Sequence, residues 1–175
     1  MRLEAMAVTI PHVEGHPNRV PFEGVLTVVN APSDKAPAGA RGHRVMLTRA
    51  AAEQALPSLL GMAVDYRPGW DGHDARRKIG LLTEASLAGQ RLLVRGYLYA
   101  RDFPEAAAAI AAAHAHAMGM SYELADARVE DMRAEIWKLT RVTFTGAAIL
   151  LRDKAAYRDT SFRMASSSKV RSDFA

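Results

Sequence analysis

An α+β domain with about seven β-strands and two helices is the fold class this sequence predicts, and three observations predict it. Lys78–Leu87 and Gln90–Ala100 read as two strands joined at Ala88-Gly89, the strongest hairpin signal in the chain. Asp102-Phe103-Pro104-Glu105 places an N-cap acceptor, an early-turn proline and a capping-box glutamate ahead of a run of alanines. Thr48 stands as an N-cap before a second alanine-rich stretch.

Taken in order, Val20–Val29 reads as a strand entered through Pro21, or as a strand pair. Ala31–Gly42, with Pro32, Pro37, Gly39 and Gly42, is a loop. Val45-Met46-Leu47 leads to a helix over about 49–60, which Pro57 weakens and Gly61 ends. Met62–Tyr66 is a short strand, and Arg67–Asp74 a turn-rich polar loop before the hairpin. The clearest helix runs from Asp102 to Met118, with Gly119 as its stop. Met120–Leu124 and Glu135–Leu151 are strands on either side of the charged turn Asp126–Arg133. From Ser161 onward the chain has no apolar period and carries Ser166-Ser167-Ser168, so 1–160 is expected to form the domain and 161–175 a flexible tail.

Composition narrows the functional classes. At 175 residues and 49% hydrophobic, the chain can bury one sizeable core. No apolar run approaches the ~18 residues of a membrane span, and a soluble, non-secreted protein without a membrane partner is expected. Lys+Arg 23 against Asp+Glu 19 is too small a surplus to argue for nucleic acid. The short cluster Arg76-Arg77-Lys78 beside Tyr66 and Trp70 reads as a solvated face. Zero cysteines remove disulfides, thiolate metal sites and a cysteine nucleophile together.

Reactive chemistry therefore falls to serine, threonine, histidine and the carboxylates. Ser121, two residues after the glycine that ends the predicted helix, would sit at a sharp helix-to-strand change where backbone N–H groups can converge. A serine nucleophile needs a base, usually an imidazole. His12 and His16 lie in a Pro/Gly-rich stretch and read as solvated, and His43 begins a strand. His114 and His116, two apart on the predicted helix, would point about 200° apart and cannot form an i, i+4 ligand pair. No metal and no cofactor are expected. His73, in Trp70-Asp71-Gly72-His73-Asp74, lies at a loop–strand edge between carboxylates that could orient its ring, which suits a general base.

The order of these features resembles a known family. A loop-borne His73 precedes Lys78-Ile79-Gly80-Leu81-Leu82, and the hairpin ends in Leu92-Leu93-Val94-Arg95-Gly96-Tyr97-Leu98. A predicted helix runs into Gly119-Met120-Ser121, and a strand from Ile136 to Phe144 follows. Over roughly residues 20–160 this resembles the tailed-phage prohead proteases, capsid-maturation serine proteases that share the herpesvirus assemblin fold. The resemblance implies a mostly antiparallel, barrel-like sheet, Ser121 as nucleophile and His73 as general base. Where family members often carry a carboxylate, and herpesvirus relatives a histidine, this chain has Arg141. The third member is open among Glu123, Glu135 and Asp74, with Arg141 or Arg152 as oxyanion supports. The resemblance further implies cleavage of scaffold and major capsid protein, and of the protease itself, inside the procapsid in the host cytoplasm. It also allows a homo-oligomer. The alternative is a phage structural protein that retains the fold without activity.

Overall fold

The structure, a computed structural model, describes residues 6–11 and 13–165. Its elements are β1 (Met6–Ala7), β2 (Val20–Val28), β3 (Arg44–Leu47), α1 (Arg49–Leu59), β4 (Ala63–Asp65), β5 (Lys78–Ala88), β6 (Arg91–Leu98), α2 (Pro104–Ala112), β7 (Met118–Val129), β8 (Ile136–Leu151) and β9 (Ser161–Met164). Strands pair in the order β3-β8-β4-β5-β6-β2-β9, with β7 on β8 and β1 on β5. The sheet is mostly antiparallel but mixed, because β3 and β4 run parallel to β8. β7 occupies one edge of β8, so β3 and β4 share the other edge, joined by α1.

The sheet curls into a half-barrel. Met120 of β7 and Gly24 of β2 meet inside it, where a Cβ at Gly24 would lie 2.6 Å from Met120 Sδ. Leu26, Val64, Ile79, Leu82, Leu92, Leu98, Phe144 and Ile149 are fully buried with Met120. At the open side, the Met120 N–H donates to Thr160 Oγ1 at 3.2 Å, so the segment leading into β9 is tied to β7. Removing this much apolar surface from water is the main stabilising term.

Local chemistry explains where elements begin and end. Thr48 caps α1 as its sequence predicts, its side chain accepting from the Ala51 N–H at 3.2 Å. Ala51, Ala52, Ala55, Leu56 and Leu59 form the buried face of α1. In the hairpin Ala88 pairs with Arg91, and Gly89 (φ +59°) supplies the left-handed position a two-residue turn requires.

Glycines 80 and 96 have a steric role: a Cβ on Gly80 would overlap Tyr97 O, and one on Gly96 would overlap Leu81 O and crowd Phe22. Both overlaps are with backbone of the neighbouring strand, which can only yield by spreading β5 from β6. Gly96→Ala is therefore expected to cost about 3 kcal/mol or more and lower the melting temperature by roughly 6–12 °C. A circular-dichroism melt within a degree of wild type would contradict this.

Four expectations need correction. The alanine helix stops at Ala112 rather than Met118, because its buried face (Ala106, Ala107, Ile110) ends there and alanine propensity alone does not hold an exposed turn. Asp102 does not cap it; its carboxylate accepts from Asn18 Nδ2 at 2.9 Å, and Phe103 is the cap residue without a side-chain bond. Gly119 is no helix stop but a strand residue, where a Cβ would lie 2.5 Å from Thr160 Oγ1. Finally, the tail expected from Ser161 begins instead with β9, antiparallel to β2. Residues 166–175 and His12 lie outside the described residues.

Candidate active site

β8 is the floor of the site. Ser121 of β7 pairs with Ala148, and Ala148 pairs on its other edge with Asp65 of β4, so the three share one row and one face. Met120, the neighbour of Ser121, points into the half-barrel, which puts Ser121 and Glu123 on the outer face of β7. Glu123 pairs with Gly146. On this face β8 thus carries a bare backbone at Gly146 and a methyl at Ala148. A Cβ on Gly146 would lie 3.4 Å from Glu123 Oε2, so the carboxylate lies directly over that glycine.

His73 enters this space from the β4–β5 loop. The loop is braced at several points: the Leu151 N–H donates to Trp70 O at 2.7 Å, and Trp70 stacks on Tyr66 with ring centroids 4.9 Å apart. Gly69 (φ +91°) and Trp70 (φ +55°) make the turn that aims the following residues back over β8. His73 Nδ1 lies 3.2 Å from Glu123 Oε1 and 3.3 Å from Asp65 Oδ1. Neither contact is aligned as a hydrogen bond, and Nδ1, Nε2 and Asp65 Oδ1 are all buried without a hydrogen-bond partner. The Asp65 side chain is only 7% exposed, against 42% for Glu123.

The carboxylates beside His73 in sequence are engaged elsewhere. Asp71 is bound by the Arg67 guanidinium at 2.7 Å, which holds its carboxyl below the usual range. Asp74 accepts from the Arg76 side chain and backbone and pairs with Arg77, and the Arg76 bonds hold its carboxyl low as well. Asp74 therefore does not stand as the orienting group. Glu135 precedes β8, thirteen positions from Ala148 or roughly 40 Å along the strand at ~3.3 Å per residue, and is exposed. Arg141 pairs with Arg128, roughly 20 Å along β8 from the Ser121 row, so the arginine at that position takes nothing from the site. Arg152 flanks Gly119 and donates from Nε to Arg158 O at 2.5 Å, away from the His73 cluster.

Ser121 itself is mid-strand rather than at a helix exit, and no helix end presents converging N–H groups there. Its hydroxyl makes no hydrogen bond to His73. Asp65 is the residue that sequence reasoning missed. Its signal was an acid closing the apolar strand Met62–Tyr66, eight positions before the histidine. A cavity of about 870 Å³ lies elsewhere, between the α2–β7 connection and β2, β6 and β9, lined by Glu23, Arg95, Ile110, His114 and Phe162 among others. Among the described residues no helix is long and apolar enough to cross a membrane.

The curled mixed sheet with two flanking helices is the assemblin-like α+β fold. The chain superposes on the Kaposi's sarcoma-associated herpesvirus protease, crystallised with a hexapeptide phosphonate inhibitor, over 89% of its own length and 70% of that chain, at TM-score 0.52 and 13% identity. A room-temperature structure of the same viral protease with an allosteric inhibitor matches at TM-score 0.45 and 13% identity, covering 89% of this chain and 81% of that one. No family model matches the chain, and no curated protein matches its sequence.

Proposed function

We propose that this protein is a serine endopeptidase of the capsid-maturation kind, acting within a phage procapsid on scaffold and capsid-protein segments and on itself. The observation that carries the reading is the placement of His73 against Glu123, which stands two residues beyond Ser121 on the same face of one strand. The assemblin-like fold supports it. Ser121 Oγ attacks the scissile carbonyl while His73 Nε2, which has no protein partner, takes the hydroxyl proton. Glu123 holds Nδ1–H, which fixes the tautomer with a free Nε2 lone pair and balances the imidazolium that forms. The proton then passes to the leaving amine, and water hydrolyses the ester by the same route. The hydroxyl-to-imidazole hydrogen bond absent here is one that tightens on substrate binding.

A fluorophosphonate probe tests this reading, because phosphonylation needs an activated serine. A single adduct at Ser121, mapped by peptide mass spectrometry and lost in Ser121→Ala, is the expected result. No adduct under conditions that assemble procapsids would favour a non-catalytic structural role. The missing hydrogen bond between Ser121 and His73 is the feature that would then have been decisive.

A further inference from the structure

The polar groups around His73 are unbalanced for a protein-only site. One imidazole Nδ1 can donate one proton, yet two carboxylate oxygens crowd it at 3.2 and 3.3 Å, and the more deeply buried of them, on Asp65, has no donor at all. Even with the ring protonated, two carboxylates and one imidazolium leave a net negative charge beside the unpartnered Asp65 oxygen, and burying a polar group without a partner is unfavourable. The three candidate ligand atoms all lie within 4.8 Å of one another. Ligands about 2.1 Å from a tetrahedral cation stand about 3.4 Å apart, close to the two Nδ1–O separations seen here. A doubly charged cation would also bring two carboxylates and a neutral imidazole to zero net charge.

We infer that Asp65, His73 and Glu123 form a binding site for a divalent transition cation of the zinc class, with a fourth position open. The imidazole ligand selects such ions over Mg²⁺ and Ca²⁺, which prefer all-oxygen shells. The absence of cysteine and the spacing of His114 and His116 argued against a metal from sequence. Neither argument reaches a site assembled from β4, the loop after it and β7. A cation on Nδ1 leaves the ring proton on Nε2, so the imidazole can no longer accept the serine proton. Occupation therefore arrests the peptidase; the arrest, though not the binding, rests on the function proposed above.

Binding is tested on full-length Ser121→Ala, which keeps all three ligands and cannot cut itself. After chelator treatment it is expected to take up one equivalent of Zn²⁺ by calorimetry, and of Co²⁺ with visible d–d absorption, undiminished by millimolar Mg²⁺. Adding His73→Ala, Asp65→Asn or Glu123→Gln should weaken uptake at least ~100-fold, beyond the ~10–100-fold that loss of an outer-shell partner costs. Glu123→Gln, at the most exposed ligand, serves where the buried substitution disturbs folding. Failure to bind a stoichiometric cation, or equal binding by the ligand variants, overturns the site. In the wild type, one equivalent of Zn²⁺ should suppress cleavage and chelator should restore it; undiminished or increased cleavage at saturating Zn²⁺ overturns the arrest. No cleavage in either state overturns the peptidase reading and the arrest with it, and leaves the binding site to stand on the titration.

Discussion

Replacing Ser121 with alanine is expected to lower peptide-bond cleavage by about 10⁴–10⁶-fold while leaving the melting temperature within about a degree of wild type. The first half follows from the proposed mechanism: without Oγ no acyl-enzyme could form, and the residual rate would come only from binding and positioning. The second half follows from the structure. Ser121 lies on the outer face of β7, and its hydroxyl makes no hydrogen bond to the His73 imidazole, so its removal breaks no bond to that ring. His73→Ala should abolish cleavage to the same extent, and the double variant should be no worse, because the two residues act as one unit. Unlike Ser121→Ala, however, it removes the imidazole packed against the buried Asp65 carboxylate, leaving a space beside that polar group, and should destabilise the fold. Cleavage of a co-expressed scaffold or capsid protein, followed by gel and by kcat/KM on a peptide, separates these outcomes. A Ser121→Ala protein that cuts at the wild-type rate would end the serine-peptidase reading.

Legibility in the sequence followed the range of the forces involved. The hairpin was readable because its signals are local: two strand-like runs and a glycine where the turn needs φ of +59°. Thr48 was readable for the same reason, since a cap is an interaction over three residues. The alanine helix was misjudged because burial, not propensity, decides where a short helix ends, and burial depends on what lies opposite Ile110. The strand at Ser161–Met164 was hidden because its pairing partner is β2, about 140 positions earlier in the chain. The site divides the same way. Ser121, His73 and Glu123 were legible as chemistry-bearing residues in suggestive order, but their neighbours were not. Asp65 joins the site only because β4 and β7 flank β8 at the same height. Asp74, adjacent to His73 in sequence, is drawn off by two arginines. A one-dimensional offset along β8 made Arg141 look central when its row is several residues away.

The two carboxylates on His73 give the sharpest remaining test, because exposure assigns them opposite balances of function and stability. Glu123 is half-exposed, so Glu123→Gln removes little folding energy, yet it replaces the carboxylate that the proposed mechanism has accepting Nδ1–H with an amide that can donate to the same nitrogen. The ring is then free to hold the wrong tautomer, with its proton on Nε2, and kcat should fall by about 10²–10⁴-fold with KM little changed. Asp65 is almost wholly buried, and its Oδ1 has no donor, so its charge is a burden on the native state. Asp65→Asn keeps the shape and removes the charge; by the reasoning that unpaired buried ions destabilise, its melting temperature should stay level or rise. Its kcat should fall by no more than about tenfold, since Glu123 still holds the ring. Paired kinetics and thermal melts of these two variants therefore read out which carboxylate serves the imidazole. If Asp65→Asn loses the larger share of kcat and also melts earlier, the orienting role passes to the buried aspartate, and Glu123 becomes its exposed neighbour.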